Sequence, residues 1–184
     1  MDKKDIKVII KTAVSLFLIC AVATGILAFI NSVTSSIITE NNIAAANSAR
    51  LQVLPGAVSF EEKTEADAVY YVGSDENEVL GYVFATKASG YGGEIEVMTG
   101  INTDGTITGI SILSINETPG LGMNAKKDSF IEQYLGSTGP FSVIKNAIPD
   151  NNEILAMTSA TITTKAVTSA VNEAIALFDA VKEG

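Results

Sequence analysis

The stretch from residue 12 to residue 30, TAVSLFLICAVATGILAFI, contains no charged side chain. As an α-helix it reaches roughly 28 Å, close to the hydrocarbon thickness of a bilayer. A cleaved signal peptide would have a shorter apolar region, and the nearest small-residue cleavage pattern, Ala44–Ala46, lies well beyond it. A lipoprotein site is excluded because the large Ile19 precedes Cys20. The stretch therefore predicts a single transmembrane helix that anchors the chain.

Charge is distributed unevenly about this helix. Residues 1–11 carry four lysines against two aspartates, a local +2 that leaves −11 for the rest of a chain whose total is −9. Because lysine and arginine concentrate on the cytoplasmic side, we expect a cytoplasmic N-terminus and an extracytoplasmic body on the cell (inner) membrane. An acidic body repels phosphates, which argues against nucleic acid as a partner. With no histidine and a single cysteine, the chain offers neither a disulfide nor a Cys/His metal cluster.

The remainder divides into a connector and a domain. Residues 31–54 are polar but carry apolar residues at roughly helical spacing, and Pro55–Gly56 ends the pattern. We therefore expect three regions. They are a cytoplasmic N-terminus with the transmembrane helix at 1–30, a helical connector at 31–56 and an extracytoplasmic domain at 57–184.

Within the domain, four segments combine alternating and β-branched residues, which predicts an antiparallel sheet with one covered face. A hairpin turn at residues 102–105 joins the last two of them. The acidic residues 61–67 are expected to be solvated surface, and a helix at 126–135 and a short strand at 141–145 to follow the sheet. The fold class is α+β, a small antiparallel sheet with packed helices. The four predicted strands are Ala68–Val72, Val79–Thr86, Glu94–Ile101 and Thr106–Ile115.

Five of the eight residues from Met157 to Thr164 bear hydroxyls, and this segment opens the last predicted helix, whose apolar stripe runs from Ala166 to Val181. Serine and threonine at a helix start cap backbone N–H groups, and local chemistry favours that interpretation. The same N–H groups and the positive end of the helix dipole also suit a bound anion.

Two glycine-containing loops lie further upstream. Gly90–Gly93 separates the second and third predicted strands, and Asn116–Gly122 follows the fourth. Glycine lets the backbone approach a ligand closely and leaves N–H groups unshielded. Each loop, taken alone, is equally typical of an ordinary connection.

Taken together in this order, the runs GYGG (90–93), ETPGLG (117–122) and TSAT (158–161) resemble the FMN-binding domain of the G subunit of Rnf-type ion-pumping ferredoxin:NAD⁺ oxidoreductases. The C subunit of the sodium-pumping NADH:quinone oxidoreductase shares this domain. The resemblance covers about residues 1–184, and ETPGLG is its most specific motif. This chain departs from the family pattern at Ser159, usually glycine, at Leu155, often aspartate, and at Asn116, often histidine.

The resemblance implies a covalent FMN, esterified through its phosphate to Thr161, the threonine that ends the third motif. Hydroxyl and backbone groups around the attachment point would contact the phosphate or the ring. The other expected binding residues are Thr158, Ser159, Ala160, Thr163 and Thr164 at the helix start and Glu117, Thr118, Gly120, Leu121 and Gly122 in the loop.

The implied function is electron carriage on FMN as a subunit of a membrane oxidoreductase, without catalytic residues of its own. The expected partners are other subunits of a membrane redox complex, the lipid bilayer and a flavin transferase for maturation. The alternatives are a subunit of a sodium-pumping quinone reductase and a non-redox extracytoplasmic binding module whose hydroxyl-rich segment is only a helix cap.

Overall fold

The computed structural model describes residues 3–65, 68–76 and 78–183 and separates into two units, Met1–Ala44 and Ala45–Gly184. Helix α1 (Lys3–Val53) begins in the first unit and ends in the second. In the first unit, Ile9–Ser32 is long and apolar enough to cross a membrane, and none of it is buried within the chain. Its large apolar side chains are exposed and pack against no other part of the described chain, as expected of a segment that is surrounded by lipid.

The second unit is built on an antiparallel sheet with strands in sequential order. Its strands are β1 (Ser59–Glu65), β2 (Ala68–Ser74), β3 (Val79–Ser89), β4 (Glu94–Asn102) and β5 (Ile107–Ser114). The predicted hairpin turn joins β4 to β5, where Asn102 N–H donates to the Thr106 carbonyl at 2.8 Å. Strands β2 to β5 form because they are rich in β-branched and aromatic residues, which favour extended backbone.

After the sheet, the chain forms a 3₁₀ turn (Gly122–Lys126), the one-turn helix α2 (Asp128–Ile131) and a second 3₁₀ turn (Glu132–Tyr134). Strands β6 (Ser142–Ile144) and β7 (Glu153–Leu155) pair in parallel. The last element is helix α3 (Thr161–Glu183), which packs on β3 and β4. This arrangement confirms the predicted α+β class.

The main core lies between α3 and one face of the sheet. Ile95, Val97 and Ile101 of β4 are fully buried there with Val167 and Val171 of α3. A polar contact fixes the helix on the sheet, because Thr86 Oγ1 donates to the Ala170 carbonyl at 2.8 Å. The stripe of small and branched residues on α3 therefore faces the sheet, as the periodicity predicts.

The prediction of a single covered face is wrong. Val53 and Leu54, at the end of α1, bury Val83 and Met98 on the opposite face of the sheet. The close approach is possible because Gly100 and Gly109 lie directly opposite each other on β4 and β5. A Cβ atom on Gly109 would lie 2.5 Å from the Cα of Val53. Thr108 Oγ1 adds a 2.6 Å hydrogen bond to the Val53 carbonyl.

Residues 61–65 of the acidic stretch are exposed, as predicted, but they belong to the edge strand β1, which was not predicted. Residues 66 and 67 lie outside the described part of the chain. Strand β1 forms by backbone pairing with β2 rather than by burial, and charged side chains on such an edge discourage pairing with other chains.

The predicted helix at 126–135 is interrupted at Lys127, which is extended (φ −78°, ψ 141°). Ala125 and Phe130 are both buried, yet on one continuous helix they would point about 140° apart. The break allows both side chains to reach the same core.

Candidate functional site

The start of α3 lies at the end of a tight turn. Ala160 N–H donates to the Met157 carbonyl at 3.0 Å, and Ser159 between them has a left-handed backbone (φ 62°). Thr161 is the first helical residue and is half-buried. Helix capping by Thr161 is therefore excluded, because the residue in the cap position, Ala160, has no side-chain acceptor. Within the described part of the chain, the N–H groups of Thr161, Ile162 and Thr163 have no acceptor.

The hydroxyl of Thr164 is committed to the turn. It donates to the Ala160 carbonyl at 3.0 Å and accepts from Met157 N–H at 3.1 Å, and the side chain is fully buried. One helical turn further on, Thr168 donates to the Thr164 carbonyl at 2.9 Å. Tyr134 donates to Thr168 at 2.8 Å, and burial raises the pKa of its hydroxyl, which keeps the proton in place. This chain of hydroxyls fixes the helix start against the second 3₁₀ turn.

A second segment of the site is the turn at Thr118–Leu121. Leu121 N–H donates to the Thr118 carbonyl at 3.1 Å, with Pro119 and Gly120 (φ 79°) at the corners, the arrangement of a type II turn. Asn124 Nδ2 donates to the Gly120 carbonyl at 2.7 Å. The ETPGLG run is thus a rigid turn that leads directly into the first 3₁₀ turn.

Glu117 connects this turn to the Gly90–Gly93 loop. Its side chain is buried, and Oε1 accepts from Tyr91 N–H at 2.7 Å and from Gly92 N–H at 3.2 Å. Gly92 must be glycine because a Cβ there would clash with the Asn116 carbonyl. The two loops, 26 residues apart in sequence at this contact, are therefore held together by one carboxylate.

The three segments enclose a cavity of about 530 Å³, which we call the first cavity. Most of the residues predicted for the site line it, and Thr161 opens onto it from the helix start. Among the described residues that line the cavity, Glu117 is the only charged one. The lining residues are Tyr91, Glu117, Thr118, Leu121, Gly122, Ser159, Ala160, Thr161, Ile162 and Thr163.

A second cavity of about 510 Å³ shares Leu121 and Ser159 with the first. Among the predicted residues, Thr158 and Gly120 line this second cavity, together with Lys127. Thr164 lines neither cavity and acts through its hydrogen bonds. The structure thus places the predicted residues on two adjacent cavities, with most of them on the first.

Two residues of the first cavity were not predicted from the sequence. Ile162 is apolar yet 54 % exposed, and it lies off the apolar stripe of α3. Tyr91 is 73 % exposed at the cavity, and its position between glycines in the GYGG run is a sequence signal for it. Exposed apolar side chains beside a cavity are typical of a ligand or partner surface.

The chemistry of the first cavity suits binding rather than catalysis. Unpaired N–H groups at a helix start favour an anion, and Thr161 carries an oxygen beside them. Tyr91, Leu121 and Ile162 supply apolar surface for a flat organic group. The site therefore fits a phosphorylated aromatic ligand.

Comparison with known proteins agrees with this chemistry. Residues 90–176 match the FMN-binding domain family, and residues 1–53 match the RnfG N-terminal region. The G subunit of the Na⁺-translocating ferredoxin:NAD⁺ oxidoreductase complex of Acetobacterium woodii is 41 % identical, over 95 % of this chain and 93 % of that protein. The G subunit of the proton-translocating ferredoxin:NAD⁺ oxidoreductase complex of Clostridium ljungdahlii is 33 % identical, over 94 % of this chain and 92 % of that protein.

Among solved structures, Shewanella oneidensis NqrC superposes with a TM-score of 0.55 at 17 % identity, covering 70 % of this chain and 73 % of that one. This likeness shows a shared fold. The relatives that match along almost the whole chain show more: the protein belongs to the G-subunit family of ion-translocating ferredoxin:NAD⁺ oxidoreductase complexes.

Proposed function

We propose that this protein is the electron-transferring G subunit of a membrane-bound ion-translocating ferredoxin:NAD⁺ oxidoreductase and that it carries FMN as a phosphodiester on Thr161. The observation that supports this most directly is the first cavity. Its lining residues all belong to the FMN-domain match. Among the described residues, neither the Thr161 hydroxyl nor the N–H groups at the start of α3 have a hydrogen-bond partner. As part of an oxidoreductase, the protein would supply position and environment, while FMN supplies the capacity to accept and release electrons.

The dimensions and donors of the cavity fit FMN. Cofactor sites usually measure about 300–1,000 Å³, and the first cavity lies within this range. The N–H groups of Thr161, Ile162 and Thr163 would hold the phosphate, and the helix dipole favours its negative charge by about 0.3–1 kcal/mol. Leu121 and Ile162 would keep water from the ring.

Thr161 is favoured over its neighbours by access. The hydroxyl of Thr164 is buried and doubly hydrogen-bonded, and the Thr163 side chain belongs to a residue that is 2 % exposed. Thr158 lines the second cavity instead. A flavin transferase would therefore reach Thr161 most easily. With FAD as the flavin donor, the pyrophosphate bond would break, the FMN phosphorus would bond to Thr161 Oγ1, and AMP and the hydroxyl proton would be released.

The proposed setting follows from the anchor helix and the relatives. Residues 1–30 would form the cytoplasmic N-terminus and a single transmembrane helix, residues 31–56 the connector and residues 57–184 the extracytoplasmic FMN domain. The partners would be the bilayer, other subunits of the complex and the transferase. The full-length relatives are subunits of ferredoxin:NAD⁺ oxidoreductases, which favours this assembly over a quinone reductase.

Replacement of Thr161 tests the attachment. The chain is produced together with a flavin transferase, and peptide mass spectrometry locates the FMN adduct. We expect Thr161→Val to abolish the adduct, because it keeps the branched shape but lacks the oxygen, and Thr161→Ser to retain it. Both variants should remain folded, because the Thr161 hydroxyl does not cap the helix. An adduct on Thr158, Thr163 or Thr164, or no adduct on the wild type, would refute the assignment.

A further inference from the structure

Tyr91 occupies an unusual position for a large aromatic side chain. It is 73 % exposed, it lines the first cavity, and its hydroxyl has no hydrogen-bond partner among the described residues. Glycines flank it on both sides, so no neighbouring side chain packs against it within the loop. A core role is excluded by this exposure, and the loop itself does not need an aromatic residue. The side chain is placed to contact something that enters the cavity.

The backbone of the loop, in contrast, is firmly held. Gly90 N–H donates to the Gly93 carbonyl at 2.8 Å, which closes the loop on itself. The Glu117 carboxylate accepts the N–H groups of Tyr91 and Gly92 through a single oxygen. Hydrogen bonds to a charged acceptor are stronger than those to a neutral one. Tyr91 is therefore an exposed side chain on a fixed backbone.

Glu117 is poorly suited to contact the flavin phosphate itself. It is 8 % exposed, and its negative charge would repel a phosphate at the helix start. Oε1 is occupied by the loop. Oε2 lies over Gly122, where a Cβ atom would be 2.6 Å from it. Both oxygens thus face protein groups, which is the geometry of a group that positions other residues.

We propose that the Tyr91 ring covers one face of the bound isoalloxazine and that Glu117 is the positioning residue that holds it there. This inference rests on the proposed function, because it requires a flavin in the first cavity. Leu121 and Ile162 then lie on the remaining apolar walls. Covering an exposed aromatic ring with another aromatic surface removes apolar area from water on both sides, and offset stacking of the rings is favourable.

The Glu117 part of the proposal is tested without flavin. Hydrogen–deuterium exchange is measured on the full chain in detergent, produced without a transferase, for the peptide that contains Tyr91 and Gly92. Glu117→Ala removes the acceptor, and the amides in this peptide should exchange on the order of tenfold faster. Glu117→Gln keeps an oxygen that can accept both N–H groups, so exchange should stay within about threefold of wild type.

The matched control is Glu173→Gln, an exposed charge change on α3. If Glu117→Ala leaves exchange in this peptide unchanged, the positioning role is refuted. If Glu117→Gln speeds amide exchange as much as Glu117→Ala does, the negative charge rather than the hydrogen bonds holds the loop, and the hydrogen-bonding role is refuted. Should Glu117→Ala fail to fold, the glutamine variant and the Tyr91 variants below still decide the question.

The Tyr91 part is tested on flavin-loaded protein by collisional quenching of flavin fluorescence with iodide. Tyr91→Ala should raise the quenching constant by about twofold, because one of the two ring faces loses its cover. Tyr91→Phe retains the ring, so iodide should quench its flavin with the same quenching constant as in wild type. Ile148→Ala removes an apolar side chain that is even more exposed than Tyr91, from the loop between β6 and β7, and should leave the quenching constant unchanged.

An equal quenching constant in Tyr91→Ala and wild type would refute the proposal that the Tyr91 ring covers the flavin. A wild-type chain without any flavin adduct would instead refute the proposed function, and the cover with it, while the exchange measurement would still report on Glu117. The two failures are therefore distinguishable. Glu117→Gln should retain wild-type quenching, whereas a direct electrostatic contact between Glu117 and the flavin would change it.

Discussion

Gly122 lines the first cavity at a position where one added carbon would meet two other lining residues. A Cβ atom there would lie 2.6 Å from Glu117 Oε2 and 2.7 Å from Thr163 Oγ1. Ordinary contact begins at 3.4 Å, so these groups must move apart by about 0.8 Å. Overpacking of this kind costs about 1–3 kcal/mol. The displaced atoms belong to two lining residues, so we expect Gly122→Ala to reduce the fraction of flavin-loaded protein several-fold.

Gly120→Ala is the matched control. Gly120 has a left-handed backbone (φ 79°), but no atom lies within 4 Å of a Cβ placed on it. An alanine there costs about 1–2 kcal/mol of backbone strain without intruding on a cavity wall. At about 2–4 °C per kcal/mol for a chain of this size, Gly120→Ala should lower Tm by about 2–8 °C and Gly122→Ala by about 2–12 °C. Only Gly122→Ala should lose flavin, as measured by intact mass after production with a transferase.

The comparison also distinguishes the two cavities. Gly122 lines the first and Gly120 the second. If Gly122→Ala is loaded as fully as wild type, the flavin does not occupy the space beside Glu117 and Thr163, and the reasoning is refuted. If Gly120→Ala is instead the variant that loses flavin, the flavin occupies the second cavity.

Three other variants test separate parts of the molecule. In a Cys20→Ser background, a cysteine introduced by Asp75→Cys should be labelled by an impermeant thiol reagent in intact cells; labelling only after lysis would reverse the proposed orientation. Ser159→Gly should raise stability by about 0.5–1 kcal/mol in thermal unfolding, because relief of the left-handed strain exceeds the extra entropy of the unfolded chain. It should also load flavin at least as well as wild type, and a loss of loading would contradict this. Thr99→Val should stabilise the fold by about 1 kcal/mol, because the buried Thr99 hydroxyl has no hydrogen-bond partner among the described residues, and a destabilised variant would show that it has one.

The elements with a strong period could be predicted from the sequence. Strands β2 to β5 alternate over 7 to 11 residues, and α3 keeps its apolar stripe for 23 residues, so both have enough repeats to define their period. The hairpin turn carries its own signal in Asn102–Gly105. The site motifs were equally visible, because glycine, proline and hydroxyl residues cluster where the backbone turns.

The elements that depend on distant contacts could not be predicted. Strand β1 has almost no buried side chain and exists because β2 offers a free edge. The interruption at Lys127 is imposed by the need to bury Ala125 and Phe130 together. The second covered face depends on the glycine pair at Gly100 and Gly109, which has meaning only once the register of β4 and β5 is known.

The hydroxyl-rich segment shows why sequence alone left two interpretations open. Capping and anion binding use the same residue types, and they differ only in which side chain takes the cap position. Here the left-handed Ser159 turns the chain one residue before Ala160, so an alanine takes that position, and no described side chain accepts from the first N–H groups of the helix. The hydroxyl of Thr164 is hydrogen-bonded within the turn. Thr161 is therefore the residue whose hydroxyl lines the first cavity and lies beside those N–H groups. Because the cap position falls on Ala160 and not on Thr161, the helix start favours an attachment site over a side-chain cap.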